Sequence, residues 1–179
     1  LRDLGLSEEE IKPLRGFGFL TLKPALIIAN TDDSNPNPTI TYNHSLSKVV
    51  SLQGKIEAEL AQLDPDDAAV FMEEYGIKEL SLKRMINLSY ELLQIQTFFT
   101  VGEDEVRAWT THRGATAQES AGDIHTDLSR GFVRAEVVDY EDLISLGSMN
   151  EAIAKGKLRL EGKEYPVKDG DIMHVRSSL

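Results

Sequence analysis

The first half of the chain sets short apolar runs among stretches of helical spacing, and after Gln96 the texture becomes β-like. "LRDLGLSEEEIKPLRG" predicts a short helix: Ser7 caps it, Glu8, Glu9 and Glu10 suit its positive end, and Pro13 breaks it. "ALIIAN" is an unbroken apolar run behind Pro24, which sits where a missing N–H costs least, and it predicts a buried parallel strand. "TDDSNPNPTITYNH" follows, turn-rich and irregular. "KVVSLQGK" is a second apolar run ending at Gly54, and "IEAELAQL" resumes helical spacing. Asp64 before Pro65 predicts an N-cap and first turn, with the helix stopped by Gly76. Ser81 predicts the cap of another helix, whose Leu82, Met85, Ile86, Tyr90 and Leu93 share one core-facing side.

Beyond Gln96, "TFFTVG" and "VRAWTTH" flank Glu103-Asp104-Glu105 as a hairpin, and Thr116 caps a helix over "ATAQESAGDIH". "GFVRAEVVDY" alternates as a strand, with Phe132, Arg134 and Glu136 expected on one face and Val133, Ala135 and Val137 on the other. Helical pieces across "YEDLISLGSMNEAIAKG" lead to short strands in "KLRLEG", "KEYPV" and "DIMHVRSSL", the last one entered through the turn at Lys168-Asp169-Gly170-Asp171. Strand pair, helix, further strands and a final strand suit a β-grasp, the small ubiquitin-like α+β architecture.

Composition narrows the chemistry. The chain has 179 residues, 41% of them hydrophobic, and no window approaches the roughly 20 apolar residues of a membrane span. Its first residues lack the layout of a signal peptide. Cysteine is absent, which excludes disulfides, thiolate chemistry and cysteine-bound zinc and points to a cytoplasmic protein. With 19 Lys+Arg against 30 Asp+Glu the formal net charge is −11, so any RNA contact needs a local basic patch. The histidines, His44, His112, His125 and His174, form no metal-binding helix pair, and His125-Thr126-Asp127 reads as a local hydrogen-bonded turn.

Two loops carry candidate chemistry. The first strand ends in Asn30-Thr31-Asp32-Asp33, at the carboxyl edge where open α/β sheets place ligands. Guanine offers two adjacent donors, and an ionised Asp33 would accept both at roughly 1.5–3 kcal/mol per bond when water is excluded; Asn30 would brace the loop. An ordinary Asx turn accounts for the same four residues more simply. Gln53-Gly54-Lys55 closes the neighbouring run, where glycine permits close backbone approach to a base or simply completes a strand-to-helix turn. A phosphate loop would need glycine at 49 and serine or threonine at 56, and the chain has Val49 and Ile56. Further on, Trp109, Phe132, Arg130 and Arg134, with His125 nearby, would suit an RNA-stacking and phosphate surface, or else a core tryptophan and phenylalanine among solvated arginines.

Taken together, "LSEEEIKPLRGFGFLTLKPALIIANTDD", "GKIEAELAQLD", "QTFFTVGEDEVRAWTTHRGATAQESAGDIHTDLSRGFVRAEV" and "AKGKLRLEGKEYPVKDGDIMHVR" resemble the carboxyl-terminal portion of the YchF/Obg-like ATPase family, translation-factor-class P-loop NTPases. The resemblance covers nearly the whole chain and is most specific in its last third, which looks like a TGS domain. It implies three segments: 1–63 as the end of a P-loop NTPase domain, 64–96 as a helical connector, and 97–179 as the TGS β-grasp. It implies GTP or ATP as the nucleotide of a longer parent, contacted here by Asn30, Thr31, Asp33, Gln53, Gly54 and Lys55, with the phosphate and magnesium sites upstream. The parent would be a cytoplasmic nucleoside triphosphatase acting with the ribosome or RNA, the TGS segment would take an RNA or protein partner, and this chain by itself would not hydrolyse nucleotide. Asp33 stands where the family typically has glutamate, which restores the acidic position of guanine-specific loops, and Thr31 replaces the usual lysine. The segment between the two loops is shorter and less helical than the family's. The alternatives are a free-standing ribosome or RNA adaptor and a ubiquitin-like protein-interaction module.

Overall fold

Strands β1 (Ala25–Asn30) and β2 (Ser47–Leu52) run parallel in register, Ala25 opposite Ser47 and Asn30 opposite Leu52. They belong to the first of two units, Leu1–Leu93 and Gln94–Leu179, in a computed structural model that describes residues 1–32, 34–77, 79–102 and 104–178. Parallel strands need a long connection, and the segment 31–46 supplies it with no helix among its described residues. Four helices complete the unit: α1 (Glu8–Ile11), α2 (Gly54–Leu60), α3 (Pro65–Glu74) and α4 (Ser81–Leu93).

The predicted opening helix is shorter than its pattern. Ser7 and Glu10 close a capping box on α1, but Pro13 turns the chain into a 3-10 stretch, Lys12–Phe17. Its neighbours form a clasp. Arg2 Nε and Nη2 donate to the Lys23 carbonyl at 2.9 and 2.7 Å, and Nη1 donates to the Tyr42 hydroxyl at 3.1 Å. Asp3 accepts from the Ser45 N–H at 2.7 Å and meets His44 Nδ1 at 2.7 Å, the latter bond holding its carboxyl below the usual range. The start of the chain is thereby tied to the far end of the β1–β2 connection. Two expected caps also differ. Asp64 makes no side-chain capping bond, and Ser81 is the first residue of α4, where its N–H donates to Glu57 at 2.6 Å and its hydroxyl donates to the same carboxylate. That partner lies 24 residues away, beyond any local signal.

The second unit is a five-stranded mixed sheet in the order β4-β3-β7-β5-β6, built from β3 (Ile95–Val101), β4 (Val106–His112), β5 (Phe132–Asp139), β6 (Arg159–Glu161) and β7 (Asp171–Ser177). The β3–β4 pair is antiparallel around the predicted hairpin, and β7 lies parallel to β3 and antiparallel to β5. Helix α5 (Ala117–Ile124), held by a Thr116–Glu119 capping box, packs Ala117 and Ala121 on Phe98, Phe132, Ala135, Val137 and Met173. Three short helices, α6 (Thr126–Arg130), α7 (Tyr140–Leu146) and α8 (Met149–Ala154), complete the unit.

Two strand expectations fail here for identifiable reasons. The register shifts between Phe132 and Arg134, so Phe132 joins Ala135 and Val137 in the core, while Arg134 and Glu136 stay on the other face. "KEYPV" is no strand. Pro166 has no N–H to give a ladder, and the segment instead wraps the start of α5, with the Ala117 N–H on the Tyr165 carbonyl and the Val167 N–H on the Ala115 carbonyl. Its Tyr165 hydroxyl donates at 2.8 Å to Asp171, which is 1% exposed and also accepts from the Lys168 N–H at 2.8 Å and Arg159 at 3.2 Å.

Candidate functional site

The two candidate loops meet at the carboxyl rim of the β1–β2 pair. Register alone places Asn30 opposite Leu52, so the residues following β1 and β2 emerge side by side. The Gly54 N–H donates to Asn30 Oδ1 at 3.1 Å. A Cβ on Gly54 would lie 2.8 Å from that oxygen and 3.0 Å from Leu52 Cδ1, so a larger residue would displace the Asn30 side chain. The Thr31 N–H and hydroxyl both donate to the Leu52 carbonyl, at 2.8 and 3.0 Å, and the hydroxyl also approaches the Pro36 carbonyl at 3.3 Å. Thr31 is therefore a brace between loops, with no stem extending over a ligand. Asp33 lies outside the described residues.

Asp32 forms an Asx turn, the ordinary account of this loop, although the sequence did not single it out among the four residues. One of its carboxylate oxygens accepts from the Ser34 hydroxyl, the Ser34 N–H at 3.0 Å and the Asn35 N–H at 3.4 Å. These bonds, the Ser34 hydroxyl first, keep the carboxyl ionised below its ordinary range. Asp-x-Ser was the available signal. Gln53 precedes α2 without capping it, and Lys55 is exposed in its first turn. Beside the rim, a cavity of about 660 Å³ is lined by Asn37, Leu52, Gln53, Glu57, Tyr75 and Arg84, among others. Its size suits a small organic ligand. Among the described residues no group of acidic side chains and histidines is arranged to hold a metal ion.

The second set of candidates does not converge. Phe132 is 4% exposed and fills the core, so its ring offers no stacking surface. Trp109 packs against the same core, donates to Thr100 Oγ1 at 2.9 Å and carries the Arg107 guanidinium 4.1 Å above its ring. His125 Nδ1 accepts the Asp127 N–H at 3.2 Å as the N-cap of α6, and Arg130 at the end of α6 lies 4.0 Å from Asp127. Arg134 lies on the opposite sheet face, where Arg176 forks onto Glu136 at 3.1 and 3.2 Å and His174 stands 3.4 Å from the same carboxylate.

A parallel strand pair with two braced loops at its carboxyl rim, followed by a mixed sheet carrying one packed helix, defines an α/β protein. Comparison with known proteins agrees. A family model named YchF-GTPase_C, described as "Protein of unknown function (DUF933)", matches residues 95–178. "Ribosome-binding ATPase YchF" of Haemophilus influenzae is 44% identical across 100% of this chain and 51% of its own length. The Bacillus subtilis protein of the same name is also 44% identical, over 99% of this chain and 51% of its own length. The structure of the Schizosaccharomyces pombe YchF GTPase superposes with a TM-score of 0.73 at 27% identity, covering 98% of this chain and 49% of that one. The chain belongs to the YchF family. It spans about half the length of the curated relatives it matches.

Proposed function

We propose that this chain supplies the base-recognition rim of a nucleotide site and a partner-binding β-grasp module of the TGS type to a cytoplasmic, ribosome-associated nucleoside triphosphatase. The observation that carries the reading is the Asn30–Gly54 bond, which locks two loops 24 residues apart into one rim. The names of the relatives, ribosome-binding ATPases and a GTPase, support the nucleotide and ribosome parts. In this reading residues 1–63 close an NTPase domain, 64–96 link it onward, and 97–179 form the TGS module.

The residues at the rim fit a purine and not its phosphates. Gly54 lets the Asn30 side chain close on its backbone, Asn30 thereby fixes the start of the loop that leads to Asp33, and in this reading Asp33 accepts the two donors of guanine. GTP or ATP would bring its own phosphates and magnesium, whose holders lie outside this chain in the parent. Here Asn30 and Thr31 position, Gln53 and Lys55 flank the base, and no residue of this chain moves a proton or stabilises transferred phosphoryl charge.

The test uses fluorescent GTP and ATP analogues on the full-length protein. Asn30→Ala should weaken both about tenfold, and Asp33→Glu should shift preference from GTP toward ATP. Unchanged affinities would defeat the assignment. Millimolar GTP should leave the melting temperature of the 179-residue chain unmoved, and a clear rise would show that the site is complete without further sequence.

A further inference from the structure

We propose that the free edge of β4 binds an extended segment of a protein partner, adding it to the sheet as a further strand, with a lysine or arginine of that segment beside the hairpin tip. The sheet has two edges, β4 and β6. β6 is three residues long, too short to template a neighbour, whereas β4 runs for seven.

The hydrogen-bond parity of β4 says which groups are available. The Gly102 N–H bonds the Glu105 carbonyl and the Arg113 N–H bonds the Gln94 carbonyl, each at 2.8 Å, so the odd-numbered residues of β4 turn their backbone groups toward β3. Those of Val106, Ala108 and Thr110 therefore point away from the sheet, and among the described residues no backbone bond occupies them. Their side chains are exposed as well, Val106 at 69%.

Edges left to solvent are normally blunted by proline, lysine or a bulge. β4 contains neither proline nor lysine, and its register with β3 is unbroken from Ile95–His112 to Val101–Val106. Its one strong charge, Arg107, is drawn over Trp109. A ladder of alternating N–H and C=O groups matches a peptide backbone and not a sugar–phosphate one, which makes the occupant protein rather than RNA. Asp104 and Glu105 are exposed at the tip, and the whole chain carries a net −11, so the field at that end favours a cationic residue.

The experiment pans a displayed library of random seven-residue peptides, matched to β4, on the intact chain. Enriched peptides should alternate β-branched residues and end in Lys or Arg. Their affinity should fall about tenfold when alternate backbone nitrogens are methylated, and about tenfold against Asp104→Lys/Glu105→Lys. Bound peptide should slow exchange of the Ala108 and Thr110 amides and leave that of Trp109 unchanged. The two tip residues are exposed, and circular dichroism checks that the double variant folds. The absence of enriched peptides, or binding that survives methylation, overturns the proposal. So does sedimentation showing that the chain pairs with itself through this edge, or poly(U) RNA slowing the same two amides.

Discussion

One extra carbon on Gly54 would press on the ends of the Asn30 and Leu52 side chains. In Gly54→Ala, the exposed Asn30 side chain can swing aside only by releasing its bond to the residue-54 N–H, at roughly 0.5–1.5 kcal/mol, and Leu52 must also shift. The gain in helix propensity at the first position of α2 is smaller than both together. A loss of about 1 kcal/mol in the unfolding free energy of the first unit, read from urea denaturation, is expected, with Asn30→Ala giving a similar loss. Asp171 is the corresponding single residue of the second unit. Asp171→Ala leaves the Lys168 N–H and the Tyr165 hydroxyl without their acceptor, and should cost about 3 kcal/mol by chemical denaturation. Burial, reinforced by Asp171, pushes the Tyr165 phenol up to about 12. Because the folded value is raised, this contribution is complete below the ordinary tyrosine range and is lost as pH climbs through about 12. A phenolate absorbance titration should show a late step that Tyr165→Phe removes.

At the scale of elements, the capping box of α5 makes the clearest forecast. Thr116→Ala should lower stability by about 1 kcal/mol. The Thr116 N–H, then its hydroxyl, holds the Glu119 carboxyl below its usual range, so that contribution is present above the ordinary carboxylate value and fades as pH falls through the depressed one. Glu119→Gln preserves the box and should flatten that acidic limb of the stability–pH curve. The Thr116 cap, like that of Ser7, was legible in the sequence, whereas the returning bonds to Glu119 and Glu10, three residues on, emerged from the structure. The hairpin and the positions of the two parallel strands were legible from apolar periodicity and turn residues. The burial expected of the first strand and of one face of α4 is not found, Ile28 being 47% and Leu82 67% exposed. What sequence could not supply depended on distant partners. The bulge at Phe132 is fixed by pairing with β7, the "KEYPV" segment by its fit around α5, and the role of Ser81 by Glu57. At the rim, sequence located both loops, but only the parallel register revealed that Asn30 and Gly54 touch.

For the molecule as a whole, the two units differ in how much interior each possesses. In the first, Val50 and Leu60 are the buried apolar residues among those described, while Phe17 and Leu20 stand 72% and 77% exposed. Among the described residues the second gathers a cluster of eight buried residues, Phe98 included. Hydrophobic burial sets the order of melting. Calorimetry should resolve two transitions, the earlier one moved by Asn30→Ala and the later by Asp171→Ala, and a single transition shifted by both would refute their independence. The clasp at Arg2 and Asp3 gives the first transition an unexpected handle. Replacing Arg2 or Asp3 would unmoor Tyr42 and His44, loosening the approach to β2 from some forty positions away. Two residues that lie in neither strand thus help to hold the amino end of the parallel pair.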